Sequence, residues 1–295
     1  MTETALSIAA PDGQQERDTQ FYFCGTIGDG FIAMCKLSRL AQAAPVRLRR
    51  ICRHAGMDTK IGEVANLFNG INYNPDYVHR DTIPEMRVFA ENQPDRYINI
   101  FHDGAGRGNE PDDPATLTFE PFPQLNLPKQ DERPSRLLVG INMNSGSRQA
   151  AQRRMDVGWC VRLGQCLAAC TDITIVLMGT EESFDEDEAA LLRDLPDNVI
   201  NLIGQQGLTE ALTFLSTLDF LITPEGIVSF FAASQRVPSL VLYEDRSALL
   251  RMHPDWHALS ICMRPKKVKD GTRWQACAVE QAANIILARF APEVA

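Results

Sequence analysis

Residues 137–142 read Leu137-Leu138-Val139-Gly140-Ile141-Asn142, a near-continuous apolar run that stops at an asparagine. A run this short, closed by the small polar stretch Asn142-Met143-Asn144-Ser145-Gly146-Ser147-Arg148, reads as a strand buried on both faces. The same pattern then repeats downstream. Helical periodicity over 156–170 leads to a strand at Ile173–Met178, and helix 184–194 leads to a strand at Val199–Leu202. Helix 208–217 precedes a strand at Phe220–Thr223, and helix 227–235 precedes one at Ser239–Tyr243. Apolar strands alternating with amphipathic helices predict a parallel sheet covered on both sides. A last helical pattern, Ala276–Phe290, is expected to pack back across the junction with the preceding half.

Upstream, Phe21-Tyr22-Phe23-Cys24 reads as a buried strand and Gly25-Thr26-Ile27-Gly28-Asp29-Gly30 as a glycine-rich turn. Phe31, Met34, Cys35, Leu37, Leu40, Ala41 and Ala44 then recur at helical spacing up to Pro45. Val46–Cys52 predicts a second strand, Lys60–Phe68 a helix and Tyr97–Phe101 a later strand. Between 102 and 135 the prolines at 111, 114, 121, 123, 128 and 134 forbid long regular elements, which marks the interdomain linker. The predicted class is α/β, with two Rossmann-like domains whose parallel sheets face a cleft. The expected division is a mobile leader at 1–18, a first domain at 19–130 carrying the linker at its end, a second domain at 131–275, and a terminal helix within 276–295.

With 295 residues there is room for about two such cores. An apolar fraction of 44% against 23% charged residues excludes a disordered chain. The net charge of -9 argues against nucleic acid as a partner. Two basic clusters, Arg47, Arg49, Arg50 and Arg53, and Arg264, Lys266, Lys267 and Lys269, are candidates for an anionic acceptor or a peripheral contact with a membrane surface. Their plainer reading is a solvated charged face. Eight cysteines occur without any C-x-x-C and mostly in apolar runs, as reduced core residues do. No signal-like or membrane-spanning run is present, and a cytoplasmic location is expected. His253 and His257 stand four apart, but Pro254 between them argues against a helical ligand pair, and no metal site is expected.

Ligands of open parallel sheets bind beyond the carboxyl ends of the strands. In this sequence those positions hold Asn144, Ser145, Gly146 and Ser147 with Arg153 and Arg154 close behind, then Gly179, Thr180, Glu181 and Glu182, then Gly204, and then Thr223-Pro224-Glu225-Gly226. Glycine and hydroxyl residues let backbone amides approach a phosphate, and arginines neutralise a diphosphate without a metal. The set points to a nucleotide diphosphate.

Four further stretches narrow the reading. Val176–Glu182 (VLMGTEE), Leu195–Gly204 (LPDNVINLIG), Leu221–Glu225 (LITPE) and Val237–Tyr243 (VPSLVLY) resemble, in order and spacing, the donor-binding half of ADP-heptose:lipopolysaccharide heptosyltransferases. The Gly28-Asp29 pair resembles the glycine-aspartate pair that this family carries after its first strand. The resemblance implies a GT-B fold and an inverting, metal-independent glycosyltransferase with a nucleotide diphosphate sugar as substrate and no cofactor. By family default the sugar is heptose, and the acceptor is lipopolysaccharide, another glycan, or a lipid-linked or protein hydroxyl.

It further implies Asp29 as catalytic base. Donor-binding roles fall on Asn144, Ser145, Gly146, Ser147, Arg153, Gly179, Thr180, Glu182, Gly204, Thr223, Pro224, Glu225 and Gly226. On its own chemistry, Asp29 reads equally as a cap for the helix that follows it. The sequence departs from the family's residues at three places: Arg153 stands for a lysine, Glu225 for an aspartate and Phe230 for a histidine. A catalytically silent sugar-nucleotide-binding or scaffold protein of the same fold is the alternative. A pyridine-nucleotide oxidoreductase fits poorly, because Gly25–Gly30 is not G-x-G-x-x-G.

Overall fold

The computed structural model describes residues 19–52, 56–79, 97–98, 119–128, 136–144, 154–168, 172–180, 184–244, 251–269 and 271–290. The first half begins β1 (Thr19–Cys24), α1 (Ile27–Ala43), β2 (Val46–Cys52), α2 (Asp58–Ala65) and β3 (Ile71–His79). These strands form a parallel sheet in the order β1-β2-β3. Tyr97 bridges to Tyr22 on the opposite edge of β1, where the Ile98 amide donates to the Tyr22 carbonyl at 2.8 Å. Residues 99–101, expected to continue a strand there, lie outside the described residues.

Helix α1 begins at Ile27, ahead of the apolar periodicity that starts at Phe31, because Gly28, Asp29 and Gly30 are themselves buried. Strand β3 has no counterpart in the sequence reading. Pro75 interrupts its pattern, and the register with β2 shifts there, between the pairs Arg49↔Asn74 and Ile51↔Val78. A proline donates no amide to a ladder, so it is accommodated in such an irregularity on an outer strand.

The second half contains β4 (Leu137–Asn142), β5 (Arg154–Met155), α3 (Val157–Ala168), β6 (Ile173–Met178), α4 (Glu186–Arg193), β7 (Val199–Asn201), α5 (Leu208–Leu215) and β8 (Phe220–Pro224). It continues with α6 (Ile227–Ser234), β9 (Ser239–Leu242), α7 (Pro254–His257), β10 (Ser260–Met263), β11 (Lys266–Val268), β12 (Arg273–Gln275) and α8 (Val279–Phe290). Six strands form a parallel sheet in the order β10-β9-β8-β4-β6-β7. Strands β6, β8 and β9 are buried at every residue, whereas the outer β7 and β10 are only partly buried. That is the distribution the continuous apolar runs require of a doubly covered sheet. Strands β11, β12 and β5 form a small separate sheet; at two or three residues each they carry no readable periodicity.

Alternate residues of the large sheet serve two cores. Val139, Ile141, Ile175, Leu177, Leu240 and Leu242 pack with α3 and α8. Leu138, Met178, Leu221 and Val241 join a cluster that continues through α6 into α1, β1 and β2. The halves therefore share one apolar contact, with the Phe31 ring 5.8 Å from that of Phe231 and 6.4 Å from that of Trp256. Burial of each of these phenylalanines contributes roughly 1.5–3 kcal/mol. Residues 119–128, from the proline-rich stretch, touch both halves. The Glu120 amide donates to the Cys35 carbonyl, the Pro121 carbonyl accepts from Trp256 Nε1 at 2.7 Å, and the Phe122 ring lies under the Arg236 guanidinium at 3.6 Å.

Three expectations are corrected. Helix α8, expected to reach the first half, has α3 of its own half as its principal partner. Arg50 does not belong to a solvated basic face: it is 3% exposed and its Nη2 donates to Asp58 Oδ2 at 2.6 Å, while Tyr73 Oη donates to Asp58 Oδ1. Arg154 is likewise buried and paired, with Glu188. Seven cysteines among the described residues are free thiols; Cys35 and Cys160 are buried as expected of core residues, and the other five are half-buried. None of the described helices is long and apolar enough to cross a membrane.

Candidate active site

In sequence order the strands of the large sheet are β4, β6, β7, β8, β9 and β10, so the chain reverses direction across the sheet between β4 and β8. Such a reversal leaves a crevice at the carboxyl ends of the two strands, the place where open α/β sheets hold ligands. Asn142 ends β4 and Thr223 lies near the end of β8, and the Asn142 amide donates to the Thr223 hydroxyl at 3.0 Å. Both are buried.

From this point the candidate residues form a connected row along the sheet edge. Toward β6, Asn144 accepts at Oδ1 from the Thr180 amide at 3.3 Å and from its hydroxyl at 3.2 Å, and donates through Nδ2 to the Thr180 carbonyl at 3.1 Å. Gly179 is required here. Its φ of +137° is one that side chains rarely adopt, and a Cβ would stand 3.0 Å from Asn144 Oδ1. Beyond it, the Gly204 amide donates to the Gly179 carbonyl at 2.9 Å. The Asn144 side chain is thus spent on shaping the strand-end turns.

Asn144 also bridges to Arg154, and the Met155 amide donates to the Met143 carbonyl at 2.8 Å. The two ends of the 145–153 segment are therefore held together. Arg154 is anchored by Glu188, which takes both Arg154 and Arg273 while Lys269 stands 3.7 Å away. Ser145, Gly146, Ser147, Arg153 and Glu182 lie outside the described residues.

On the other side of the reversal the row crosses to the first half. Glu225 follows β8 directly, its amide donating to the Leu242 carbonyl at 3.0 Å, and Gly226 then opens α6. The start of α1 meets the start of α6 at Gly28, where an added Cβ would lie 3.2 Å from both the Ile227 amide nitrogen and the Phe230 ring. Two helix N-termini brought this close favour negative charge, and two carboxylates supply it, Asp29 at 4% exposure and Glu225 at 8%. Asp29 Oδ2 accepts from the Thr26 amide at 2.6 Å and from its hydroxyl at 2.9 Å. The capping alternative thus takes a different form: Thr26 is the cap, and Asp29 reaches back to it from the third helical position.

Asp29 Oδ1 faces Arg251, whose Nη1 donates to it at 3.0 Å while Nη2 donates to Glu225 Oε1 at 2.6 Å. One guanidinium thereby joins the two halves. Burial opposes its charge, but Asp29 and Glu225 outweigh that and raise Arg251 further above its ordinary value. Burial, then Cys262 and Glu225, push the neighbouring Tyr243 phenol well up, so it remains a neutral hydroxyl. Phe230 is 1% exposed, with its ring 6.0 Å from that of Trp256, and belongs to the apolar contact between the halves.

Arg251 was not among the residues the sequence singled out. It stands nine positions past the end of β9, too far for the rule that reads the residues just after each strand.

No protein-family model matches the chain, and no curated protein matches it by sequence. Solved structures do match. The E. coli ADP-heptose LPS heptosyltransferase II superposes with a TM-score of 0.56 at 13% identity, over 94% of this chain and 100% of that one. The fold is that of the heptosyltransferases. A family 9 glycosyl transferase from Veillonella parvula gives a TM-score of 0.58 at 13% identity, over 93% and 98% of the two chains. The E. coli heptosyltransferase WaaC with ADP gives 0.57 at 12%, over 92% and 100%. The GT-B architecture that residues 176–243 implied therefore extends over nearly the whole chain. At such identities the likeness is one of fold, and the heptosyltransferase-like scaffold takes its chemistry from the residues described above.

Proposed function

We propose that this protein is a nucleotide-sugar-dependent glycosyltransferase, transferring a sugar from a nucleoside diphosphate donor to an acceptor hydroxyl with inversion and without a resident metal or cofactor. The observation that carries the reading is the meeting, at the strand-order reversal of the large sheet, of the Asn142–Thr223 contact and Glu225 with Asp29 from the opposite half. A donor bound at the reversal would place its anomeric carbon between the halves. Asp29 would accept the acceptor's proton as the hydroxyl oxygen attacks that carbon, and the bond to the diphosphate would break with its electron pair leaving on phosphate oxygen.

Around the donor, Gly179, Thr180 and Gly204 are proposed to contact the nucleoside side and Thr223, Pro224, Glu225 and Gly226 the sugar. Asn144 is proposed to act by holding the Thr180 turn. Ser145, Gly146, Ser147 and Arg153 are proposed for the phosphates and Glu182 for the ribose. The named heptosyltransferase neighbours make ADP-heptose the first donor to test and a lipopolysaccharide core glycan the first acceptor, with lipid-linked and protein hydroxyls next. A cytoplasmic site of action is proposed with it.

The test is a thermal-shift and calorimetry screen against ADP, GDP, UDP, CMP and their sugar nucleotides, because a ligand held only by the native state raises its apparent stability. Selective stabilisation by one nucleoside diphosphate and its sugar is the expected result. The Asp29→Ala variant should then retain donor binding and lose turnover by about 10²–10⁴-fold, the usual contribution of a positioned base. Stabilisation by none of the nucleotides would sink the proposal.

A further inference from the structure

Resting on that donor site, we infer that Arg251 masks the candidate base and that the donor's diphosphate unmasks it. Asp29 has two oxygens. One is committed to Thr26 by two hydrogen bonds, and the other, the one left for an acceptor hydroxyl, is occupied by Arg251. A carboxylate engaged in this way is poorly placed to take a proton, so the arrangement is a resting one.

The guanidinium has capacity for another partner. Its Nη1 and Nη2 are divided between Asp29 and Glu225, while Nε is buried and has no hydrogen-bond acceptor among the described residues. A buried N–H without a partner is costly, and a donor seated with its sugar at the carboxyl end of β8 would bring the oxygens of the adjoining diphosphate within its neighbourhood. Arginine binds phosphate in a fork of two parallel N–H···O bonds and does so more strongly than it binds through single contacts. Asp29 and the diphosphate therefore compete for one cation. A donor that wins this competition frees Asp29 Oδ1 and leaves Arg251 beside the departing diphosphate.

The consequence is an order of events. The base becomes available only with donor in place, so the donor binds before a productive acceptor. Asp29 Oδ1 then takes the hydroxyl proton, the C–O bond to the acceptor forms, the C–O bond to the diphosphate breaks, and the new negative charge on phosphate is met by Arg251.

Competition for a shared group is a thermodynamic coupling and is reciprocal. It predicts that removing the charge of the candidate base tightens nucleotide binding. The experiment is calorimetry of the nucleoside diphosphate selected by the screen, titrated into the full chain and into Asp29→Asn, Glu225→Gln, Arg251→Met and the double variant Asp29→Asn/Arg251→Met. Thermal unfolding of each variant confirms that it is folded. Asp29→Asn should bind about five-fold tighter or more, the lower range of site-to-site coupling; Glu225→Gln should move in the same direction, and Arg251→Met alone should weaken binding.

Loss of a nearby negative charge would favour an anionic ligand even without Arg251, and the double variant separates the two causes. In the Arg251→Met background the gain from Asp29→Asn should shrink to less than half. Should Asp29→Asn bind no tighter, or should its gain persist undiminished without Arg251, the masking role is wrong while the donor site stands. A wild-type chain that binds no nucleoside diphosphate overturns the donor site and the masking role together. Glu225→Gln provides the same comparison if Asp29→Asn does not fold.

Discussion

Glu188 and Asp29 are both buried carboxylates at the third position of a helix, of α4 and of α1, yet one is surrounded by cations and the other faces a guanidinium that it shares with a second carboxylate. Glu188 receives Arg154, receives Arg273 at 2.6 Å and 3.0 Å, and has Lys269 at 3.7 Å, all from its own half of the molecule. Burial pushes it up, but the Arg273 hydrogen bonds and the charges of Arg154 and Arg273 outweigh this and hold its carboxyl below the usual range. In the Asp29–Arg251–Glu225 group one guanidinium is divided between two carboxylates and spans the two halves. An over-compensated network fixes a structure, here the base of the 145–153 segment. A guanidinium divided between carboxylates of opposite halves, placed where a ligand is expected, is ready to exchange partners.

The largest effect on stability should come from Glu188→Ala. Removing one member of a buried network leaves the rest uncompensated and costs about 3–5 kcal/mol, to be read as a lower urea midpoint with an unchanged slope. The same residue sets an acid dependence of known sign. Because its folded pKa is depressed, its stabilisation is complete above the unfolded value of about 4.3 and is lost as pH falls through the folded value. Glu188→Gln should remove that part of the acid limb. An acid limb equal to the wild type's in Glu188→Gln would break the contrast between the two networks, since Glu188 would then hold no special charge.

A smaller effect should appear where the second network crosses the halves. Gly28→Val places its added carbons within the 3.2 Å gap to Ile227 and Phe230. Overpacking of this kind costs about 1–3 kcal/mol. Gly28→Ala should come out milder, since the gain in helix propensity over glycine, about 1 kcal/mol, offsets the tight contact. If valine is tolerated as well as alanine, the halves are not in register at this contact and the Arg251 bridge loses its frame.

How much of this was legible in the sequence follows from what each feature depends on. The strands of the second half carry their own burial: β4, β6, β8 and β9 are predominantly apolar runs, and their ends lie within one residue of the expected positions. Strand β3 was not legible, because Pro75 and the polar residues beside it are tolerated only through the irregular pairing with β2. Arg50 and Arg154 read as surface charges because nothing local announces Asp58 or Glu188, 8 and 34 positions away. Asp29 and Glu225 could be picked out from short strand-end patterns, whereas Arg251 meets Asp29 across 222 positions. Its role is a product of the fold and has no motif of its own.

The smallest expected effect tests the strap that keeps the two networks in one frame. The Arg236 guanidinium lies 3.6 Å from the centre of the Phe122 ring, and it does so from a residue with a φ of +62°, a left-handed conformation. The ring contact is worth about 0.5–1 kcal/mol at an exposed site, and the backbone conformation costs about 1–2 kcal/mol in any residue but glycine, partly offset in glycine by its greater freedom in the unfolded chain. Arg236→Ala should therefore lower stability by the ring contact alone, while Arg236→Gly loses the contact and gains back the strain, leaving stability within about 0.5 kcal/mol of wild type. Chemical denaturation of both variants decides the matter. Alanine and glycine falling together would mean that the turn carries no strain. Glycine standing above alanine would show that α6 ends in a conformation held by what packs on it, the strap at Phe122 included.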